Sequence, residues 1–180
     1  MAEEITTSTT RIYSGRVINL RVDTVRLENG AITRREIVEH RGAVAMVPVD
    51  DRDNVILVRQ FRKAVERGLV EIPAGTLEPG EDPLICAQRE LQEETGFTAD
   101  RLERITGFFP CPGYSTEFIH VFLATGLRPA ELAGDEDEDI EVIEVPFEDA
   151  LAMVDKGEIC DAKTIVGLLS CAARRAHRRP

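Results

Sequence analysis

Three glutamates, Glu90, Glu93 and Glu94, have the types and spacing that point most directly to chemistry. Residues three and four positions apart lie on the same side of a helix, so a helix would place all three carboxylates on one face. Like charges at this spacing repel each other unless a cation lies among them. Mg²⁺ and Mn²⁺ prefer oxygen ligands, so this face is a candidate site for a divalent cation. The alternative is a solvated acidic face that binds nothing.

A helix from Pro83 to Thr95 is predicted to position these glutamates. Asp82 is a suitable N-cap, and proline is favoured at the first helical position because its missing N–H has no partner there. Gly96 stands where a helix commonly ends in a left-handed residue. Leu84 and Leu91 are seven positions apart and are expected to give the helix a side to bury.

The helix belongs to a longer pattern that begins at Gly75. Five residues separate Gly75 from Glu81, and seven more precede the run Arg89-Glu90-Leu91-Gln92-Glu93-Glu94-Thr95-Gly96-Phe97. This pattern resembles a complete Nudix box, G-x5-E-x7-R-E-U-x-E-E-x-G-U, in which U is an apolar residue. The resemblance implies a metal-dependent hydrolase of a nucleoside diphosphate linked to another group.

The resemblance extends over most of the chain, from about Gly15 to Leu169. Three segments resemble the ADP-ribose pyrophosphatase branch of the Nudix family: 57–62, 71–75 and 109–115. A proline 16 residues after the last glycine of the box marks this branch, and here it is Pro112. The branch implies hydrolysis of ADP-ribose, or a related nucleoside diphosphate sugar, to AMP and ribose 5-phosphate. It also implies Mg²⁺ or Mn²⁺ as the cofactor and a homodimer whose N-terminal strands cross between subunits.

The same resemblance assigns roles to individual residues of the site. The implied metal ligands are one backbone carbonyl and three carboxylates, namely Ala74, Glu90, Glu93 and Glu94. Arg89 corresponds to an arginine that orients the box carboxylates by ion pairing, and Glu81 to a supporting position. The implied substrate-binding residues are Arg59, Arg62, Glu71 and Pro112. Arg59 is well suited to a bidentate phosphate contact, and Glu71 is expected to line the nucleoside side of the pocket.

Two features of the site stay open. The chain has no Trp, so the adenine would be held by Phe61, Phe108, Phe109 or Tyr114, or mainly by apolar contacts. The acidic run 135–139 is either a solvated loop or the mobile catalytic loop of this branch. In the second case Glu136 is the first candidate for the general base. Glu138 is the second candidate, or a ligand of an added metal ion, and Glu93 is the candidate if the base lies in the box.

Composition excludes several classes of protein. A net charge of −11 makes general electrostatic binding of nucleic acid improbable, and no apolar run reaches the roughly 18 residues of a membrane span. Four cysteines without a C-x-x-C pair argue against a zinc site and fit free thiols in a reducing compartment. The first ten residues are polar and have no apolar signal segment, so a cytoplasmic location is expected.

An α/β fold is predicted, a Nudix α/β/α sandwich with a mixed sheet, preceded by a small N-terminal antiparallel β unit. Residues 1–42 are assigned as a β-hairpin and dimerisation segment, and residues 43–180 as the hydrolase domain. Met1–Thr10 is expected to be disordered, and Asn29-Gly30 to form the hairpin turn. Further strands are expected at 43–49, 54–61, 102–109, 118–124 and 140–145, and helices at 147–155 and 161–175. The apolar residues of the hairpin need a cover, which a second subunit would provide.

Three functions remain possible. The first is hydrolysis of ADP-ribose, favoured by Pro112 and by segment 59–62. The second is a Nudix hydrolase of another nucleoside diphosphate derivative, such as a GDP-sugar, a dinucleotide or an oxidised nucleotide. The third is a Nudix-fold module that binds an ADP-ribose-like ligand without cleaving it. The complete set of box carboxylates disfavours this last possibility.

Overall fold

A computed structural model of the protein describes residues 3–130 and 140–178, which divide into two compact units. The first unit contains the chain up to Gly42 together with Phe109–Phe118. The second unit contains Ala43–Phe108 and the described residues from Ile119 onwards.

The first unit is built on an antiparallel sheet of three strands in the order β1-β2-β3. The strands are β1 (Ile5–Ser14), β2 (Asn19–Arg26) and β3 (Ile32–Glu39). The predicted turn at Asn29-Gly30 is present. Gly30 has a φ of 82°, and the side-chain oxygen of Asn29 accepts a hydrogen bond from the N–H of Ala31 at 3.0 Å.

The expectation that Met1–Thr10 is disordered was wrong from Ile5 onwards, because β1 begins there and pairs with β2 along its length. Residues 1 and 2 lie outside the described residues. The segment is rich in threonine, and β-branched residues favour strands even where they are polar. The hydroxyl of Thr7 donates to the carbonyl of Thr24 at 3.0 Å, which adds to the backbone pairing. All ten residues of β1 are exposed, so their polarity reflects exposure rather than disorder.

The second unit contains two sheets and three helices. Its four-stranded sheet has the order β7-β4-β9-β8, and its three-stranded sheet has the order β10-β5-β6. The strands are β4 (Ala43–Pro48), β5 (Asn54–Arg62), β6 (Arg67–Glu71), β7 (Ala74–Thr76), β8 (Phe97–Phe108), β9 (Ile119–Pro129) and β10 (Ile140–Pro146). The helices are α1 (Pro83–Thr95), α2 (Phe147–Asp155) and α3 (Ala162–Arg178), with a 3₁₀ turn at Lys63–Val65. Strands β4 and β9 are parallel and the other pairs are antiparallel, so the mixed sheet is confirmed.

Strand β4 shows why the unit is a sandwich. All six of its residues are buried, and successive side chains of a strand point to opposite faces. Val44 and Met46 pack in one apolar cluster with Leu91 of α1. Ala45 and Val47 belong to the other cluster, which includes Leu168 and Cys171 of α3. Helices therefore cover both faces of the sheet, and the predicted α/β/α architecture is confirmed.

Several strand boundaries differ from those predicted. Strand β8 starts at Phe97 rather than at Leu102, and β9 continues to Pro129, because the two strands stay paired from Phe97 opposite Pro129. The extra residues include exposed polar side chains, which gave no apolar signal. The short strands β6 and β7 were not predicted. No helix within residues 3–130 and 140–178 is long and apolar enough to cross a membrane.

Candidate active site

Helix α1 carries the candidate site, and both of its ends are where the sequence placed them. The carboxylate of Asp82 accepts the N–H of Leu84 at 2.8 Å, which caps the N-terminus. Gly96 ends the helix in the left-handed conformation, with a φ of 69° and its N–H bonded to the carbonyl of Gln92. The predicted bounds Pro83–Thr95 are confirmed.

The helix buries a narrower stripe than expected. Its buried residues are Cys86, Ala87, Leu91 and Thr95, while Leu84 is 48% exposed. The expectation that Leu84 is buried with Leu91 was therefore wrong. Small side chains at Cys86 and Ala87 let the helix approach the sheet closely, and Leu84 lies beyond this contact.

Glu90 packs directly against the strand β7. A Cβ atom added to Gly75 would lie 1.8 Å from the carboxyl carbon of Glu90, and 2.1 and 2.3 Å from its two oxygens. Such contacts are far inside van der Waals distance, so no other residue fits at position 75 unless Glu90 moves. The glycine of the motif thus leaves room for the Glu90 carboxylate, which a side chain at position 75 would displace.

Glu94 contacts the residue just before this glycine. Its Oε2 accepts a hydrogen bond from the backbone N–H of Ala74 at 2.9 Å. Ala74 is in turn paired with Ala45 of the central strand β4. Three of the sequence-predicted metal ligands, Ala74, Glu90 and Glu94, therefore meet where β7 passes helix α1.

Arg89 ties the remaining acids of the motif together. Its Nη1 lies 2.7 Å from Glu90 and 2.8 Å from Glu93, while Nε and Nη2 each donate to Glu81 at 3.1 Å. These hydrogen bonds hold the pKa of Glu81 at about 2, against the opposing effect of burial. The pKa of Arg89 is raised by the same contact with Glu81 and by its other carboxylate neighbours. The ion pairs expected for Arg89 are present, and its part in catalysis stays a prediction.

The oxygen donors of the site suit a divalent metal ion. Within the part of the chain that the structure describes, no three His, Cys, Asp or Glu side chains are already gathered as a metal centre. Arg89 and the N–H of Ala74 hold the carboxylates in their present positions instead. The available donors are oxygens on a helix and on an adjacent strand, which is the donor chemistry that a hard divalent cation requires. The residues therefore fit such an ion once these hydrogen bonds are exchanged for metal contacts.

Cys86 lies beside this site but is not a nucleophile. It is fully buried, and burial together with the neighbouring Glu81 raises the pKa of its thiol to about 12. The thiol is therefore protonated at neutral pH, and the nucleophilic thiolate is essentially absent.

The arginines predicted to bind substrate lie on strand β5. Arg59 forms an ion pair of 2.8 Å with Glu141, and both side chains are more than half exposed. Arg62 donates from Nε and Nη2 to the two carboxylate oxygens of Glu71, at 2.8 and 2.7 Å. This arrangement leaves Arg59 accessible to a ligand and holds Arg62 from one side.

Glu71 has a different environment from the one expected. Its side chain is 1% exposed, and Lys163 of α3 also contacts it. Burial acts to raise the pKa of Glu71, but the hydrogen bonds and charges of Arg62 and Lys163 outweigh it, so the pKa is lowered. The carboxylate is thus enclosed by two cations of the protein rather than facing an open pocket.

Three other predicted residues cannot be joined to this site. Pro112 lies in the segment Phe109–Phe118 of the first unit, where the rings of Phe109 and Phe118 pack edge to face with centroids 4.8 Å apart. Glu136 and Glu138 lie outside the described residues, so their proposed roles rest on the sequence.

Sequence analysis missed the part of the site contributed by α3. The carboxylate of Asp161 accepts the N–H of Thr164 at 3.0 Å and also contacts Lys163 at 3.1 Å. In the sequence, Asp161 marked only the start of the helix predicted at 161–175. The ion pair between Lys163 and Glu71 joins residues 92 positions apart, and no local pattern indicates it.

Comparison with known proteins agrees with this geometry. Residues 39–166 match the NUDIX domain family, and residues 4–38 match the nucleoside diphosphate sugar hydrolase N-terminal domain. An ADP-ribose pyrophosphatase of Bacillus subtilis is 52% identical over 90% of this chain and 89% of that protein. A methanol dehydrogenase activator of Bacillus methanolicus is 44% identical, over 92% of this chain and 91% of its own. A GDP-mannose pyrophosphatase of Salmonella arizonae is 39% identical, with 92% of this chain and 94% of that protein covered.

A solved structure described as an ADP compounds hydrolase has the same fold. Its TM-score is 0.87, and the match covers 99% of this chain and 97% of the other at 23% sequence identity. At this identity the likeness establishes the fold alone. Together with the matches over the motif and the N-terminal region, it places this chain in the Nudix family of hydrolases.

Proposed function

We propose that the protein is a Nudix pyrophosphohydrolase that cleaves the diphosphate of ADP-ribose to AMP and ribose 5-phosphate. The observation that carries the proposal is the joint packing of the motif acids, with Glu90 against Gly75 and with Arg89 bonded to Glu81, Glu90 and Glu93. A surface helix with solvated charges would not need this arrangement. The name of the 52% identical relative, an ADP-ribose pyrophosphatase, supports the choice of substrate.

Nudix hydrolases generally depend on divalent metal ions, and we propose Mg²⁺ or Mn²⁺ as the cofactor here. The residues that would hold the ion are Glu90, Glu93, Glu94 and the carbonyl of Ala74. When bound, the ion offsets the charge of the diphosphate and makes nearby water more acidic. Arg89 keeps Glu90 and Glu93 on one side of the helix, and the N–H of Ala74 orients Glu94.

The reaction also needs a group that accepts a proton from the attacking water. Glu136 is proposed for this role, with Glu138 second and Glu93 of the box third. Attack at one phosphorus then breaks the bridging P–O bond, and the released phosphate keeps the bridging oxygen. No covalent intermediate with the enzyme is required.

The substrate is proposed to be held by two arginines. Arg59 is accessible and forms only an exposed ion pair, which a phosphate can replace at little cost. Arg62 has its Nη1 directed away from the two bonds to Glu71 and can donate to the diphosphate. Pro112 is proposed to contact the substrate, and Glu71 to act through Arg62 rather than by contact with the nucleoside.

A panel of diphosphates tests this proposal. The purified protein is incubated with ADP-ribose, GDP-mannose, a dinucleotide and an oxidised nucleotide, and the products are separated by chromatography. We expect AMP and ribose 5-phosphate from ADP-ribose, with the highest kcat/KM of the panel. A preference for GDP-mannose would point to the activity named for the 39% identical relative. Binding of ADP-ribose without cleavage of any compound, in the presence of Mg²⁺ or Mn²⁺, would identify a sensor module and overturn the proposal.

The assembly and location are part of the same proposal. We propose a homodimer formed through residues 1–42, with residues 43–180 as the hydrolase domain. Its partner molecules are small nucleoside diphosphate sugars rather than nucleic acid or membranes. The four cysteines are free thiols, which fits the proposed cytoplasmic location.

A further inference from the structure

A cluster of four charged side chains joins the start of α3 to the strands β5 and β6. Glu71 lies at its centre, bonded to Arg62 at 2.7 and 2.8 Å and in contact with Lys163. Asp161 balances Lys163 from the other side at 3.1 Å. The cluster therefore contains two positive and two negative charges, and the side chain at its centre is 1% exposed.

The backbone beside the cluster is held by the same turn of α3. The hydroxyl of Thr164 accepts the N–H of Ile72 at 2.9 Å, and Thr164 is itself bonded to Asp161. A Cβ added to Gly167 would lie 2.9 Å from the side chain of Ile72, so the helix packs closely on this segment. The stretch from Glu71 towards Ala74 is thus anchored by α3 at both a side chain and the main chain.

Arg62 belongs to this cluster and also experiences the charge of Glu94 on α1. Nε and Nη2 are bonded to Glu71, whereas Nη1 has no hydrogen-bond partner within residues 3–130 and 140–178. The side chain is 38% exposed, so a ligand can reach it. The hydrogen bonds with Glu71 raise the pKa of Arg62, and the charge of Glu94 adds to this effect. One edge of the guanidinium is therefore held by Glu71, and the other is available to a ligand.

We propose that Lys163 is a positioning residue for substrate binding, because it holds Glu71 in the orientation that directs the free edge of Arg62 at the diphosphate. This inference rests on the proposed function. Lys163 and Arg62 share the Oε2 atom of Glu71, so the carboxylate cannot rotate without breaking a contact with one of them. Without Lys163, a buried carboxylate would keep a single cation, and Arg62 would be drawn further towards it.

A third charge on a separate element restrains the pair formed by Arg62 and Glu71. Two hydrogen bonds fix the guanidinium and the carboxylate relative to each other, but the two groups could still rotate together relative to the rest of the protein. A third charge from a separate element removes this freedom, since Asp161 and the first turn of α3 hold Lys163 in place. Errors in the placement of a binding group on the scale of 1 Å have large effects on turnover or affinity.

The test measures steady-state kinetics and equilibrium binding for Lys163→Met and Lys163→Arg. Binding is followed by calorimetry with an analogue of ADP-ribose in which a methylene group replaces the bridging oxygen. We expect Lys163→Met to raise KM by about fivefold or more while kcat changes by less than about twofold. The lost interaction stabilises the bound substrate and the transition state equally, so its loss weakens binding without slowing the chemical step. The analogue should bind more weakly by the same factor, and Lys163→Arg should recover most of the loss. The matched control is Lys156→Met, which removes an exposed lysine after α2 and should leave KM unchanged.

A double-mutant cycle separates positioning from general destabilisation. On the background of Arg62→Ala, the change Lys163→Met should have no further effect on KM, because the residue through which it acts is gone. Equal effects on both backgrounds would overturn the inference, as would an unchanged KM in Lys163→Met. If Lys163→Met does not fold, the double variant Glu71→Gln with Lys163→Met removes one charge of each sign and serves instead. Its KM should also rise, and a KM like that of the wild type would reject the proposed role.

The two proposals fail in different ways. If the wild-type protein cleaves none of the diphosphates but binds the analogue, the proposed function fails and the calorimetric comparison decides the role of Lys163. If it does not bind the analogue either, both proposals are rejected. If the wild type is active and all Lys163 variants bind the analogue equally, only the positioning role is rejected.

Discussion

Gly75 and Glu90 show how closely the side chains of the candidate active site are packed. The carboxylate of Glu90 fills the space that any side chain at position 75 would need. The motif therefore begins with glycine because of this contact and not because of backbone flexibility. Gly75 has no positive φ, so its role is to admit the carboxylate.

We predict that Gly75→Ala displaces Glu90 and lowers kcat/KM for ADP-ribose by about 10²-fold or more, since misplacement by about 1 Å has effects of this size. The measurement is steady-state kinetics with circular dichroism to show that the fold is kept. The control is Gly68→Ala, because an added Cβ at Gly68 meets no atom within 4 Å. Wild-type activity in Gly75→Ala would show that Glu90 can move without loss of function.

Glu94 provides the test of metal dependence. Glu94→Gln keeps the size of the side chain but removes a charge from the proposed metal-binding set. We predict that kcat falls by about 10²-fold or more while the melting temperature stays near that of the wild type, because a ligand rather than a core contact is lost. Wild-type activity should also vanish with EDTA and return with Mg²⁺ or Mn²⁺. Glu78→Gln, an exposed change of the same kind in the loop before α1, is the control. A metal-free wild-type protein with full activity would contradict the metal-dependent mechanism.

Among the secondary-structure elements, α3 does more than cover the sheet. Its first turn supplies Lys163 to the buried Glu71 and the hydroxyl of Thr164 to the N–H of Ile72. The helix therefore links stability to the geometry of the segment that leads to Ala74. This role makes the stability of the protein sensitive to the ionisation of Glu71.

The pH dependence of stability follows from the lowered pKa of Glu71. A carboxyl group whose pKa is lower in the folded state stabilises that state above its unfolded pKa, and this stabilisation is lost as the pH falls through the folded pKa. We predict that Glu71→Gln lowers the free energy of unfolding by about 3 kcal/mol at pH 7, the usual cost of breaking a buried ion pair. The difference should begin to shrink as the pH falls below the unfolded pKa of about 4.3, and it should be lost as the pH falls through the lower folded pKa. Urea unfolding at a series of pH values measures both quantities.

The control for this experiment is Glu144→Gln. Glu144 forms an ion pair with Arg52, but its side chain is 48% exposed and that of Arg52 is 73% exposed. Pairs of this kind contribute little to stability, so the change should have a small effect at every pH. A difference between wild type and Glu71→Gln that stays constant from pH 7 to pH 3 would show that Glu71 does not titrate as described.

The elements that could be predicted are those with local signals. Helix α1 has a cap at Asp82 and a terminating glycine at Gly96, and α2 was predicted with its observed bounds Phe147–Asp155. Strand β1 is exposed along its whole length, and the first part of β8 is only partly buried. Both were missed because pairing with other strands decides their conformation. Local patterns indicate burial and helix ends, but they do not show which strand lies beside which.

The site could be predicted to a similar extent. The spacing of the acids predicted that they share one face of α1. Their packing against β7 was not predicted, and the structure shows it for Glu90 and Glu94. The environment of Glu71 could not be predicted, because its partner Lys163 is 92 residues away. Contacts of this kind depend on how the elements pack, and a sequence read residue by residue contains no sign of them.

At the scale of the whole molecule, the first unit has a surface that needs explanation. Its sheet and the loop between β1 and β2 expose several large apolar side chains, each more than half accessible: Ile5, Ile12, Tyr13, Val17 and Ile32. A small three-stranded sheet buries little of its own surface, and apolar groups of this size favour association. The chemically simplest partner is the same surface of a second chain, because symmetric contacts form most homodimers.

We predict a dimer of two 20.0 kDa chains, which light scattering would report as about 40 kDa at micromolar concentration. Replacing both Ile12 and Val17 by aspartate should give a monomer, because charges on this surface would have to be buried in the interface. Removing residues 1–40 should give an insoluble or inactive protein.

The matched control is Ile85→Asp on α1, where the side chain is 64% exposed but belongs to the second unit. A mass of about 20 kDa for the wild type would refute the dimer. Loss of the dimer in Ile85→Asp, with the other variant still dimeric, would place the interface on α1 instead.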